Sequence, residues 1–89
     1  MIGKTLLKIL YFAWVRERTG LAEEDIALPE NVTTVGDLII HLKAKGPGYA
    51  SAFENAGTIR AALDQAHVSH DTPLGNAREV AFFPPMTGG

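Results

Sequence analysis

From Lys4 to Ala13 the apolar positions alternate, with Leu7, Ile9 and Tyr11 on one face and Lys4, Leu6, Lys8, Leu10 and Phe12 on the other. A period of two marks a half-buried strand, so the first face predicts core. The second face begins polar and ends apolar, and Leu10 and Phe12 are expected to stay partly exposed at the strand's end. Residues Val15 to Gly20 read as a helical turn stopped by Gly20, and Asp25 to Leu28 as a short strand closed by Pro29. Between Thr33 and Lys45 the period changes: Val35, Leu38, Ile39 and Leu42 stand at i, i+3, i+4 and i+7, the apolar stripe of a helix that must cover a sheet. Thr34 suits its N-cap, and Asp37 three residues on suits a capping box and the positive end of the helix dipole. Lys43 and Lys45 sit at the other end, before Gly46 and Pro47 stop the helix.

Tyr49 to Asn55 reads as a further short helix, and Thr58 to Leu63 and Ala66 to Ser69 as short strands separated by a turn at Asp64 and Gln65. Asp71, Pro73, Gly75 and Asn76 are turn formers, and Arg78 to Phe83 is a last strand, since Pro84 and Pro85 forbid further pairing. Strand, strand, helix and further strands in 89 residues predict one α+β domain, a mixed sheet of about five strands with one main helix across it. The β-grasp arrangement of ubiquitin fits that order. The expected organisation is a domain over residues 1–83 and a tail over 84–89.

Composition narrows the chemistry. Hydrophobic residues at 46% and charged residues at 20% suit a folded domain. A net charge of -2 with no long run of either sign argues against nucleic acid or an acidic membrane surface as main partner. There is no cysteine, which excludes disulfides, thiolate metal sites and a cysteine nucleophile. Lys4 ahead of the apolar stretch Thr5 to Val15 could mimic a signal peptide, but Lys8 interrupts it and no small-residue cleavage site follows. The cytoplasm is therefore the expected compartment.

The tail Pro84, Pro85, Met86, Thr87, Gly88, Gly89 has no charged side chain. Two prolines impose an extended backbone, and six residues reach roughly 20 Å when extended, enough to enter a buried site. Gly88 and Gly89 lack side chains, so a channel no wider than the backbone can enclose them. A free carboxylate is a poor electrophile, but adenylation of Gly89 would let a sulfur donor attack its acyl carbon. The resulting thiocarboxylate sulfur is the better nucleophile, and it needs no cysteine. The bland alternative is a disordered end that happens to hold two glycines.

Phe82 and Phe83 must face opposite ways, so one is left over from the core. With Leu10 and Phe12 the outward phenylalanine is expected to form an apolar patch at the tail's root, of the kind that marks interfaces. The expected partner-binding set is thus Leu10, Phe12, Phe83, Pro84, Pro85, Met86 and Thr87. His41, His67 and His70 read as solvated, with no metal site, and Ser69-His70-Asp71 has hydrolase residue types without the geometry of a triad. Arg16, Glu17 and Arg18 read as a solvated helical turn, while Trp14 is either core edge or partner contact.

Ile9-Leu10-Tyr11-Phe12-Ala13, Thr34-Val35-Gly36-Asp37-Leu38 and Glu79-Val80-Ala81-Phe82-Phe83-Pro84-Pro85-Met86-Thr87-Gly88-Gly89 together resemble the small, sulfur-carrying subunit of molybdopterin synthase. The resemblance implies a non-catalytic subunit that binds no cofactor itself. A ubiquitin-activating-like adenylyltransferase would use ATP on Gly89, and a sulfur source would form the thiocarboxylate. The tail would then insert into the large catalytic subunit, in a heterotetramer of two carriers on a dimer of large subunits, and donate sulfur to cyclic pyranopterin monophosphate. Sulfur donation to another pathway, such as thiamine thiazole synthesis, and ubiquitin-like protein modification are the alternatives. The chain departs from the family at Leu63-Asp64-Gln65, usually Val-Asn-Gln, and at Ala77-Arg78-Glu79, usually Gly-Asp-Glu, which puts turn geometry and partner contacts in question.

Overall fold

The computed structural model describes residues 6–85. Strand β1 (Leu6–Tyr11) obeys its alternation: Leu7, Ile9 and Tyr11 are buried, while Leu6, Lys8 and Leu10 are at least partly exposed. Helix α1 (Ala13–Thr19) follows, a full helix and not a single turn. Its start is tight, because Ala13 takes a left-handed φ of 53°, and Gly20 closes it at φ 83°, where a side chain would be strained. Strand β2 (Glu23–Ala27) begins two residues earlier than the pattern indicates and pairs antiparallel with β1.

Helix α2 (Val35–Lys43) lays Val35, Leu38, Ile39 and Leu42 into the core. Its N-terminus is closed by the expected capping box. The Asp37 N–H donates to Thr34 Oγ1 at 3.1 Å, and the Asp37 carboxylate accepts from the Thr34 N–H at 3.1 Å. The Thr33 and Thr34 backbone N–H groups hold that carboxylate below its usual range. Helix α3 (Pro47–Ala52) packs so closely on α1 that a Cβ at Gly48 would stand 2.6 Å from the Arg18 carbonyl oxygen. Arg18 also covers Trp14, its guanidinium 4.8 Å from the ring centre, and donates to the Ser51 carbonyl. Trp14 is thus core edge, and Arg18 ties α1 to α3 where a freely solvated turn was expected.

A 3-10 turn (Ala56–Thr58) takes the first residue expected of the next strand and Ile59 caps it, so β3 runs over Arg60–Leu63. Asp64 and Gln65 have φ of 48° and 75°, the left-handed pair of a two-residue hairpin, and β4 (Ala66–Val68) returns antiparallel. Asp64 Oδ1 accepts the N–H groups of Arg78 at 3.0 Å and Glu79 at 3.1 Å. The two stretches that depart from the family pattern therefore meet, the hairpin turn anchoring the start of β5 (Glu79–Phe83).

The sheet order is β2-β1-β5-β3-β4, with only β1 and β5 parallel, hence mixed. α2 covers one face. There Leu7, Ile9, Tyr11, Phe53, Val80 and Phe82 join the α2 stripe in one cluster. Each such side chain contributes about 1.5–3 kcal/mol by leaving water. No helix among the described residues is long and apolar enough to cross a membrane.

Candidate functional site at the root of the tail

Parallel pairing makes β1 and β5 end at the same pole, with Leu10 opposite Ala81 and Tyr11 opposite Phe82. The Phe12 N–H continues the ladder by donating to the Phe82 carbonyl at 3.1 Å. Phe82 turns inward and is fully buried, edge-on to Phe53 at 5.1 Å and stacked on Tyr11 at 6.5 Å. Phe83 consequently turns outward and stays half-buried. Pro84 and Pro85 leave the strand from there, also half-buried.

Alternation and register assign the open face of the sheet. Leu10 on β1, Ala81 and Phe83 on β5, Arg60 and Ala62 on β3, and His67 on β4 all lie on it. Phe12, 47% exposed, continues the β1 alternation with extended backbone and falls on the same side as Leu10. Ala62 is 6% exposed although it does not belong to the core cluster. On the same face the rings of Phe83 and His67 reach across β3 and meet with centres 5.3 Å apart. Phe83 stands opposite Arg60 and His67 opposite Ala62, so the two rings lean toward each other diagonally across β3.

The structure thus brings Leu10, Phe12, Phe83, Pro84 and Pro85 to one pole, while Met86, Thr87, Gly88 and Gly89 lie outside the described residues. His67 was expected to be merely solvated and instead packs on Phe83. The signal was present in the two-residue turn at Asp64 and Gln65, which sets the register and places His67 opposite Ala62. His70 is not solvated either, since its Nε2 lies 2.7 Å from the Ile59 carbonyl oxygen. Ser69 hydrogen-bonds Asp71, so the three residues form a turn and no triad. Among the described residues no group of His, Asp and Glu is placed to hold a metal ion.

Beneath this pole lies a polar clamp that composition does not announce. Glu24 Oε2 accepts from the Tyr11 hydroxyl at 2.7 Å and the Tyr49 hydroxyl at 2.8 Å, and its Oε1 accepts from Lys45 Nζ at 3.3 Å. Partial burial pushes the Glu24 carboxyl up, but the donors outweigh it and hold the group below its ordinary value. Burial first, then the bond to Glu24, push Tyr49 up to about 12 and Tyr11 higher still. The clamp pins β1, β2 and the ends of α2 and α3 just before the chain turns at Phe12. A groove of about 710 Å³ lined by Leu28, Pro29, Leu74 and Arg78 opens at the opposite end of β1 and β5, a strand's length from the tail root.

A five-stranded mixed sheet gripping one principal helix, with its first and last strands parallel at the centre, defines a ubiquitin-like β-grasp protein. The model of the ThiS family matches residues 9–89, and the chain belongs to that family. It is 43% identical over 84 residues to the molybdopterin synthase sulfur carrier subunit of Escherichia coli K12, which spans 94% of this chain and 100% of that relative. A solved Pyrococcus furiosus chain, described as a candidate molybdopterin converting factor subunit 1, superposes with a TM-score of 0.71 at 29% identity, covering 93% of this chain and 100% of its own. Small archaeal modifier protein 1 of Haloferax volcanii superposes with a TM-score of 0.69 at 20% identity over 94% of this chain and 100% of its own, a likeness of fold alone.

Proposed function

We propose that this chain is the sulfur carrier subunit of a molybdopterin synthase, working through the carboxylate of Gly89. The reading rests on the 43% identity to a sulfur carrier subunit, and the geometry agrees with it, because β5 delivers the tail from the centre of the sheet beside an open apolar face. In the first step a Gly89 carboxylate oxygen attacks the α-phosphorus of ATP on an adenylyltransferase, and pyrophosphate leaves. A sulfur donor then attacks the acyl carbon and displaces AMP, leaving a thiocarboxylate. ATP belongs to the activating enzyme, and this chain binds no cofactor.

The open face, with Phe83, Leu10 and Phe12, then docks on the large subunit, while Pro84 to Gly89 extend into its active site. Two carriers flank a dimer of large subunits. The thiocarboxylate sulfur attacks a carbon of cyclic pyranopterin monophosphate and displaces an oxygen substituent from it, and water then cleaves the acyl–sulfur bond, leaving the sulfur on the pterin and restoring the Gly89 carboxylate. Catalytic acids and bases are the partner's, since the tail offers only its end group. The test is single-turnover transfer from the thiocarboxylated carrier to cyclic pyranopterin monophosphate on the large subunit. Molybdopterin is expected from the intact chain and none from a chain lacking Gly89; transfer by the shortened chain would contradict the mechanism.

A further inference from the structure

We propose that His67 is part of the surface that docks the large subunit and makes that docking proton-dependent, strongest with the imidazole neutral. The inference rests on the docking reading above and adds to it a residue that neither the tail nor the aromatic pair implies by itself. The observation is the ring pair: His67 and Phe83 have ring centres 5.3 Å apart at an interplanar angle of 58°, diagonally across β3. A partner that covers Phe83 must therefore also approach His67, whose ring is otherwise exposed to water.

Loss of water sets the sign. On β3 the open-face cation is Arg60, opposite Phe83 and diagonal to His67, and at the other end of that strand Asp64 turns its carboxylate to the Arg78 and Glu79 N–H groups. On β5 the open-face acid is Glu79, beside Lys8 of β1 and two residues from Ala81 on the side away from Phe83. His67's own strand adds none, as its other members are Ala66 and Val68. Charges of both signs thus flank the imidazole, and the change on docking is that a partner's apolar surface strips water from the ring. That loss disfavours the protonated imidazole in the complex. Neutral His67 with Phe83 offers a continuous aromatic surface, whereas protonated His67 puts a cation at its centre.

The test measures the dissociation constant of the full-length carrier and the large subunit between about pH 7.5 and pH 5.5, for the unchanged chain and for His67→Leu. Full exclusion of a titrating proton from the complex weakens binding by up to about tenfold per pH unit, which makes about tenfold the scale of the loss over that range. The expected result is that this loss is present in the unchanged chain and absent in His67→Leu, the partner's own titrations cancelling between the two. An NMR titration should show the His67 imidazole lowered on complex formation. Equal pH dependence in both chains, or tighter binding of the unchanged chain at low pH, would overturn the proposal. If Phe83→Asp binds as tightly as the unchanged chain at about pH 7.5, the docking reading itself has failed, and the role of His67 falls with it.

Discussion

Replacing Tyr11 with phenylalanine tests how the tail pole is held. The substitution keeps the ring that stacks on Phe82 and removes only the hydroxyl that donates to Glu24 at 2.7 Å. A hydrogen bond to a charged acceptor contributes about 1.5–3 kcal/mol. Glu24 retains Tyr49 and Lys45, and its side chain is still 17% exposed, so water can take part of the place. The expected loss is therefore about 1–2 kcal/mol, equivalent to roughly 5–15 °C in Tm for a domain of this size. Both hydroxyls share Oε2, so Tyr49→Phe on top of Tyr11→Phe should cost more than it does alone. The folded carboxyl of Glu24 lies below its ordinary value of 4.5. Its contribution is therefore complete above that value and is lost as pH falls through the depressed folded value. Denaturant unfolding at neutral and acid pH is the assay, with Glu24→Gln as reference. A Tyr11→Phe loss below about 0.5 kcal/mol, or a gap between the unchanged chain and Glu24→Gln that does not narrow in acid, would refute the clamp.

Other consequences are local. Gly48→Ala forces apart the crossing of α1 and α3, where the added carbon would meet the Arg18 carbonyl at 2.6 Å; about 1–3 kcal/mol of stability should be lost in thermal unfolding. Asp64→Ala leaves the Arg78 and Glu79 N–H groups without their carboxylate, and about 1 kcal/mol should go with it, whereas Asp64→Asn keeps an acceptor and should cost less. Thr34→Ala removes the N-cap of α2 and should cost about 1 kcal/mol, read by the same unfolding curves.

Much of this fold is visible in two periodicities. The alternation of Leu7, Ile9 and Tyr11 and the stripe Val35, Leu38, Ile39 and Leu42 each demand one buried face, and both are buried. Thr34 with Asp37 marks the start of α2 and Gly20 the end of α1 by their own backbone chemistry, whereas α2 stops at Lys43 with Ala44 as its C-cap, and Gly46 and Pro47, expected to end it, instead open α3. What escapes is tertiary. The bond from Asp64 to Arg78 and Glu79 spans 14 and 15 residues, and Tyr11, Glu24 and Tyr49 come from three elements whose approach no local pattern encodes. His67 looks solvated because its strand is three residues long and exposed, and only the register across β3 reveals Phe83 beside it. The tail is the reverse, a feature read from composition and residue type, without any packing.

The central claim concerns one carboxylate. Intact-mass measurement after incubating the full chain with ATP, an activating enzyme and a sulfide source tests it most directly. The account predicts a gain equal to the exchange of one oxygen for sulfur, located at Gly89 and absent without ATP. An unchanged mass, or covalent attachment of the chain to lysines of other proteins, would contradict it.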